Sequence, residues 1–291
     1  MNFKGSRLPI VENSHNTHMS KFKNKTVLIT GGASGIGEIM ARLFLERKAK
    51  VIIWDIDSEN LGKVCARYAE LGEISGAAVD ISEQSQIEAA ASNLLDKKGG
   101  LDILINNAGI IVGSYFHEHT TKDITLTMAV NANAPLYITH AFITAMLEKN
   151  AGHICNIASS GGLLGNPRMS AYVASKWSLI GFSDSLRLEM EKLKKNIKVT
   201  TIMPYYISTG MFHGVRSKIP ILEPEATALT IVKAIEKNKR MVTIPGYIYR
   251  LTRVAQGILP ISIFDWFTGT ILGVYETMNQ FTGRQNKEKA S

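Results

Sequence analysis

Short runs of apolar, often β-branched residues alternate along this chain with longer stretches whose apolar positions recur every three to four residues. The runs at 26–30, 50–54, 74–79, 101–105, 152–157, 198–203 and 241–244 read as strands. The stretches at 35–47, 59–70, 83–98, 122–149, 171–194 and 224–238 read as helices. Runs such as Val27-Leu28-Ile29 and Val51-Ile52-Ile53-Trp54 are apolar at every position, as strands covered on both faces are. Strict strand–helix alternation with connections of a few residues predicts an α/β fold on a doubly wound parallel sheet flanked by helices. Two stretches escape the alternation. Residues 205–223 form a Gly/Pro-punctuated loop ahead of Pro224, which suits a first helical turn. Residues 246–291 read as an apolar helical tail rich in Ile, Leu, Phe and Trp, interrupted by Gly257, Pro260 and Gly269.

Composition narrows the picture. Of 291 residues, 45% are hydrophobic and 20% charged, which supplies a core and excludes disorder for most of the chain. No uncharged apolar run approaches the roughly 20 residues of a spanning helix. Residues 1–20 are polar and aperiodic, a flexible arm without the apolar stretch of a secretory signal, and Met19 offers an internal start. Two distant cysteines, Cys65 and Cys155, make neither a disulfide framework nor a zinc pattern and suit a reducing, cytoplasmic setting. Much of the net charge of +8 sits at the chain ends, with no finger, RNP-like or basic heptad motif beside it. Solvated surface charge is the expected reading, with no nucleic acid and no metal as partner.

The candidate chemistry gathers where strands end. The first strand runs into Thr30-Gly31-Gly32-Ala33-Ser34-Gly35-Ile36-Gly37 and then a helix. Glycines let the backbone approach a pyrophosphate with no Cβ in the way, and the helix N-terminus offers free N–H groups to the phosphates. Taken alone, such a cluster also closes ordinary βα turns. Asp55 ends the second strand, 18 residues beyond Gly37. A carboxylate there accepts the adenosine ribose hydroxyls and repels a 2′-phosphate, and no Arg or Lys follows nearby, so NAD is expected over NADP. Asn106-Asn107-Ala108-Gly109 leaves the fourth strand, with amides to brace neighbours and small residues to let a cofactor pass. Tyr172 and Lys176 stand at i and i+4 and share a helix face. A phenol titrates at about 10, and a nearby ammonium favours its phenolate. Ser159 lies thirteen residues before Tyr172 at a strand end, on the side of a parallel sheet where the ligand crevice lies. Asn131 sits within the long 122–149 helix, a costly place for an amide unless it holds something.

In this order and spacing these residues resemble the short-chain dehydrogenase/reductase family over about residues 25–245. The resemblance implies a Rossmann domain over 21–245, with a seven-stranded sheet in the order 3-2-1-4-5-6-7. It assigns Tyr172 as general acid/base, Ser159 as the group that polarises the substrate oxygen, and Lys176 as the nicotinamide-ribose contact that lowers the Tyr172 pKa. Asn131 would hold a water in a proton relay. Cofactor contacts fall on Gly31, Ser34, Gly35, Ile36, Gly37, Asp55, Asp80, Ile81, Asn107, Ala108, Gly109, Pro204, Ile207 and Thr209, together with Tyr172 and Lys176. One departure stands out: the family usually has Pro-Gly after strand six, whereas here Tyr205 follows Pro204 and is expected to narrow the active site.

The stretches Met203-Pro204-Tyr205-Tyr206-Ile207-Ser208-Thr209 and Val51-Ile52-Ile53-Trp54-Asp55 resemble the subgroup of epidermal-type retinol dehydrogenases and related 17β-hydroxysteroid dehydrogenases. That implies an NAD-dependent enzyme interconverting an alcohol and a carbonyl on a fairly apolar retinoid, steroid or fatty-alcohol substrate. A homodimer or homotetramer is expected from the same resemblance. The tail reads as a lid, a packing or subunit surface, or a peripheral membrane contact. The rival reading is a non-catalytic NAD-binding sensor or scaffold on the same fold.

Overall fold

The computed structural model describes residues 21–98 and 100–283, without the side chains of Lys97 and Lys98. The arm expected over 1–20 and the last part of the tail, 284–291, lie outside the described residues. Seven strands form one sheet: β1 Thr26–Thr30, β2 Lys50–Asp55, β3 Ile74–Ala78, β4 Ile103–Asn106, β5 Gly152–Ile157, β6 Ile197–Pro204 and β7 Met241–Ile244. Their order is β3-β2-β1-β4-β5-β6-β7 and every pairing is parallel. The helices are α1 Gly35–Glu46, α2 Ser58–Tyr68, α3 Gln84–Lys98, α4 Thr121–Met128, α5 Ala134–Lys149, α6 Ser170–Lys192, α7 Pro224–Glu236, α8 Tyr247–Ile258 and α9 Ile261–Trp266. This is the doubly wound Rossmann arrangement. Its strand order reverses between β1 and β4, which opens a crevice beyond their carboxyl ends.

Alternate side chains of each strand point to opposite faces, so a strand covered on both sides is apolar at most of its positions. Val27, Ile29, Val51, Ile53, Ile103 and Ile105 pack with Met40 and Phe44 of α1 and with Ile231 and Ile235 of α7. Leu28, Ile52, Trp54, Leu104 and Ile154 pack on the other face with Ile87 of α3, Ile138 and Phe142 of α5, and Leu186 of α6. Each such burial contributes about 2 kcal/mol relative to exposure.

The single helix expected over 122–149 is not continuous. Residues 129–133 widen into a π-helical turn between α4 and α5. Pro135, the second residue of α5, has no N–H to give the Asn131 carbonyl, and the buried Asn131 amide is committed to a neighbouring loop. Helical periodicity carries no mark of such a local change in pitch. β2 runs one residue further than expected because Asp55 still pairs with Ala78 of β3.

β5 also buries a titratable group remote from the crevice. Nε2 of His153 lies 2.7 Å from Oγ1 of Thr200, whose hydroxyl donates to the Lys239 carbonyl at 2.6 Å. Burial, aided by the charge of Lys198, pushes the imidazole down to about 4 from its ordinary 6.5. The unfolded chain therefore takes up this proton at higher pH than the folded one. The resulting stability is fully present above about pH 6.5 and is lost as pH falls towards 4, amounting to about 3 kcal/mol. Urea unfolding at neutral pH and at pH 4 should show His153→Gln losing about that much less than wild type on acidification. Coincident pH slopes would exclude this assignment.

Candidate active site

The β1–α1 turn is shaped for close approach of another backbone or a ligand. Gly31 has φ +64°, and a Cβ built on it would lie 2.8 Å from the Ala108 Cα. A Cβ on Gly37 would lie 2.1 Å from the Gly31 carbonyl oxygen and 2.7 Å from Nδ2 of Asn107. Asn107 fixes this turn from β4: its Nδ2 donates to the carbonyls of Thr30 and Gly31 at 2.9 and 3.0 Å, and its own N–H donates to Oγ1 of Thr30. Asp55 closes the turn from β2, its carboxylate accepting the N–H groups of Ala33 and Asp57 at 2.9 and 3.1 Å. The adjoining α1 N-terminus follows at Gly35. A dinucleotide fits this cradle: glycines where any Cβ would collide, a helix start for phosphates, and a carboxylate at the end of β2 for a ribose.

A cavity of about 370 Å³ runs along this crevice. Gly31, Ser34, Gly35, Ile36, Gly37, Asp55, Asp80, Ile81, Asn107, Ala108, Gly109, Ser159, Tyr172, Lys176, Pro204, Ile207 and Thr209 all line it. Lys176 is the one cation among the described lining residues, and Asp55 and Asp80 are the carboxylates. Asn131 alone of the expected residues stands behind the wall. Its Oδ1 accepts the Ile110 N–H at 2.9 Å, and its Nδ2 donates to the Ile110 carbonyl at 2.8 Å and to Oγ of Ser175 at 3.1 Å.

α6 brings Tyr172 and Lys176 to the cavity one turn apart, and both are buried. Burial dominates their electrostatics. It pushes the Tyr172 phenol up to about 12, opposed by a hydrogen bond with Ser159, and it lowers the Lys176 ammonium to about 8. The expected acidification of Tyr172 by Lys176 is outweighed here: Nζ of Lys176 lies 5.7 Å from the phenol ring centre and donates to the Ile157 carbonyl at 3.0 Å. Helical spacing predicts the shared face and is silent on the desolvation that tertiary packing adds.

With that geometry in view, the short chain dehydrogenase family pattern matches residues 25–220. The chain is a short-chain dehydrogenase/reductase. It is 34% identical over 272 residues to mouse epidermal retinol dehydrogenase 2, covering 90% of this chain and 86% of that protein. It is 32% identical over 227 residues to rat 17-beta-hydroxysteroid dehydrogenase 13, covering 77% and 76%. A crystal structure of a short-chain dehydrogenase/reductase from Burkholderia phymatum in complex with NAD shares the fold, with TM-score 0.75 and 24% identity, over 82% of this chain and 95% of that one. This short-chain dehydrogenase/reductase therefore stands in the retinol and 17β-hydroxysteroid dehydrogenase subgroup and is an NAD(P)-dependent oxidoreductase acting on CH–OH donors.

Sequence reasoning singled out Tyr205, the 205–223 loop and the tail, but not the other residues that pack around Tyr172. Tyr172 packs with Met169, Tyr205, Tyr206, Val215 and Met278 in an apolar cluster, and its ring meets Phe212 edge-on at 6.2 Å. Tyr205 forms cavity wall, with its hydroxyl 2.8 Å from Oγ of Ser217 and its ring 4.7 Å from Tyr206. Met278 and Phe281 arrive from the tail. Oγ1 of Thr277 takes a hydrogen bond from Asn166 and lies 3.0 Å from the Tyr206 hydroxyl, while Arg168 donates to the carbonyls of Met278 and Asn279. The Thr282 N–H bonds the His213 carbonyl at 3.0 Å, and the Phe281 ring packs against Gly113, where a Cβ would lie 2.2 Å from it. The segment after residue 273 thus ties together the loops that follow β4, β5 and β6. Its only sequence signal was the apolar content of the tail, which names no partner.

Proposed function

We propose that this enzyme oxidises a fairly apolar alcohol of the retinoid, steroid or fatty-alcohol type with NAD, and catalyses the reverse reduction with the same groups. The observation that carries the reading is that Ser159, Tyr172 and Lys176 line one cavity with the glycine cradle, while the phenol is bounded by methionine and aromatic side chains. Bound NAD would supply the hydride acceptor. Tyr172 takes the hydroxyl proton in oxidation and returns it in reduction. Ser159 holds the substrate oxygen and, through its hydrogen bond, offsets part of the burial that keeps the phenol neutral. Lys176 provides the nearest positive charge. Asn131 acts as a positioning residue: its amide fixes Ile110 and so the cavity wall, and its carbonyl, without a helical partner at Pro135, is the candidate holder of a relay water. The polar groups for adenosine come from Asp55, and Ile207 and Thr209 flank the nicotinamide side. Exposed Tyr137, Trp177 and Leu188 on α5 and α6 support a homodimer or homotetramer through those helices, which light scattering would measure.

The testing experiment is a rate comparison with NAD and NADP across retinol, a hydroxysteroid, a long-chain alcohol and ethanol. Long apolar alcohols should be turned over at least about 100-fold more efficiently than ethanol, a gap of roughly 3 kcal/mol. With either cofactor, turnover confined to small polar alcohols would discard the substrate class. Cofactor binding without turnover on any alcohol would favour the scaffold reading.

Asp55 carries the cofactor preference, since a 2′-phosphate would meet its carboxylate with no cation beside it among the described lining residues. NAD should be preferred by about 100-fold in kcat/KM, and Asp55→Asn should shrink that preference by about tenfold or more. An NADP preference in the wild type would overturn this assignment.

A further inference from the structure

Helix α8 has two apolar faces, and the fold uses one. Ile248, Thr252, Ala255 and Leu259 turn inward, each half-buried or buried. One residue earlier at each step, Tyr247, Leu251, Val254 and Ile258 repeat the same helical spacing about 100° round the axis. These four are 52, 64, 58 and 74% exposed. The bare surface continues through Ile261, Ile263, Trp266, Phe267 and Ile271, while Phe264 and Thr268 of the same stretch are buried. A contiguous apolar surface of this extent marks a contact.

The charges beside it select the partner. Arg250 and Arg253 are exposed on the side of α8 away from the inward face, Arg250 beside the stripe and Arg253 further round with its guanidinium 5.6 Å from the Tyr249 ring centre. The sole carboxylate between 247 and 271 is Asp265, which accepts the Tyr275 hydroxyl at 2.9 Å. Two arginines against one carboxylate leave the face net positive, and a two-fold contact with a second copy would set one such face against another. A layer of anionic headgroups over hydrocarbon meets both features: phosphates for the arginines and an apolar interior for the stripe, with Tyr247 and Trp266 suited to the boundary.

We propose that the α8–α9 face docks this enzyme on an anionic lipid surface, lying in the plane of the bilayer. Among the described residues no helix is long and apolar enough to cross a membrane, so the contact is peripheral. The chain passes directly from this face into the segment carrying Met278 and Phe281, which pack in the apolar cluster around Tyr172. The inference does not depend on the substrate reading, because lipid binding is measured without turnover.

The test is flotation of the full-length protein with vesicles of phosphatidylcholine alone or with about 30% phosphatidylserine. Wild type should bind the anionic vesicles about tenfold or more tightly than the neutral ones. The triple variant Leu251→Ser, Ile258→Ser, Trp266→Ser should lose about tenfold or more on both, and Arg250→Glu with Arg253→Glu should abolish the anionic preference alone. All five positions are exposed, and an unchanged melting temperature identifies the folded variants. Wild type that stays with the unbound fraction, or variants that float as wild type does, would overturn the proposal. So would a wild type without vesicle binding whose solution mass falls in the triple variant, which would give the face to a second copy.

Discussion

Replacing Tyr172 with phenylalanine is expected to lower kcat about 10³-fold while leaving NADH affinity within about threefold of wild type. The substitution removes one oxygen from a ring that is already buried against Phe212, Met169 and Met278, so its packing survives. The lost hydrogen bond to Ser159 is worth about 1 kcal/mol, too little to unfold the enzyme. What disappears is the group proposed to carry the proton. The wild-type phenol is held up to about 12 by burial, so oxidation, which consumes the phenolate, should accelerate as pH rises towards that value. The sign follows directly, since each step upward in pH increases the fraction of base. The phenylalanine variant should lack that rise. Steady-state NADH absorbance across the neutral and alkaline range, with fluorescence titration of NADH, separates the two effects. A variant retaining kcat within tenfold, or keeping the same pH profile, would show that the proton moves through another group.

Gly37→Ala should cost about 100-fold in NAD affinity and lower the melting temperature by several degrees. The added methyl would meet the Gly31 carbonyl oxygen at 2.1 Å and Asn107 Nδ2 at 2.7 Å. Neither neighbour can swing aside cheaply, because one is backbone and the other is bound to it at 3.0 Å. Relief requires the β1–α1 turn to move, and a displacement of about 1 Å there spoils the approach to a pyrophosphate. Calorimetric titration with NAD and a thermal melt measure both consequences. Near-native affinity with reduced stability would make this glycine a packing requirement alone and remove the turn from the cofactor site.

The alternation of apolar runs and helical stretches was enough to give every strand of the sheet. The central strands β1, β2 and β4 are covered on both faces and read as nearly unbroken apolar runs, and the other runs recur between helical stretches in the same rhythm. The glycine turn, Asp55, Ser159 and the Tyr172–Lys176 pair were equally legible, since each sits at a strand end or on a helix face that local geometry fixes. Their grouping along one cavity follows from the parallel sheet, whose strand ends all lie on one side. Other features left no local trace. The π turn at Asn131 depends on a loop more than twenty residues away, and the ionisation of Tyr172 and Lys176 depends on how deeply packing buries them. The role of Met278 and Phe281 depends on where the tail returns.

The sequence by itself determined the layered fold and which side chains meet along one cavity, because periodicity and short-range spacing are properties of the chain. Tertiary structure alone decided that burial sets the direction of the Tyr172 shift, that the segment after residue 273 packs in the cluster around Tyr172, and that one face of α8 is left bare. Desolvation and contact surface arise only when distant segments meet, and no local pattern records which segments those will be.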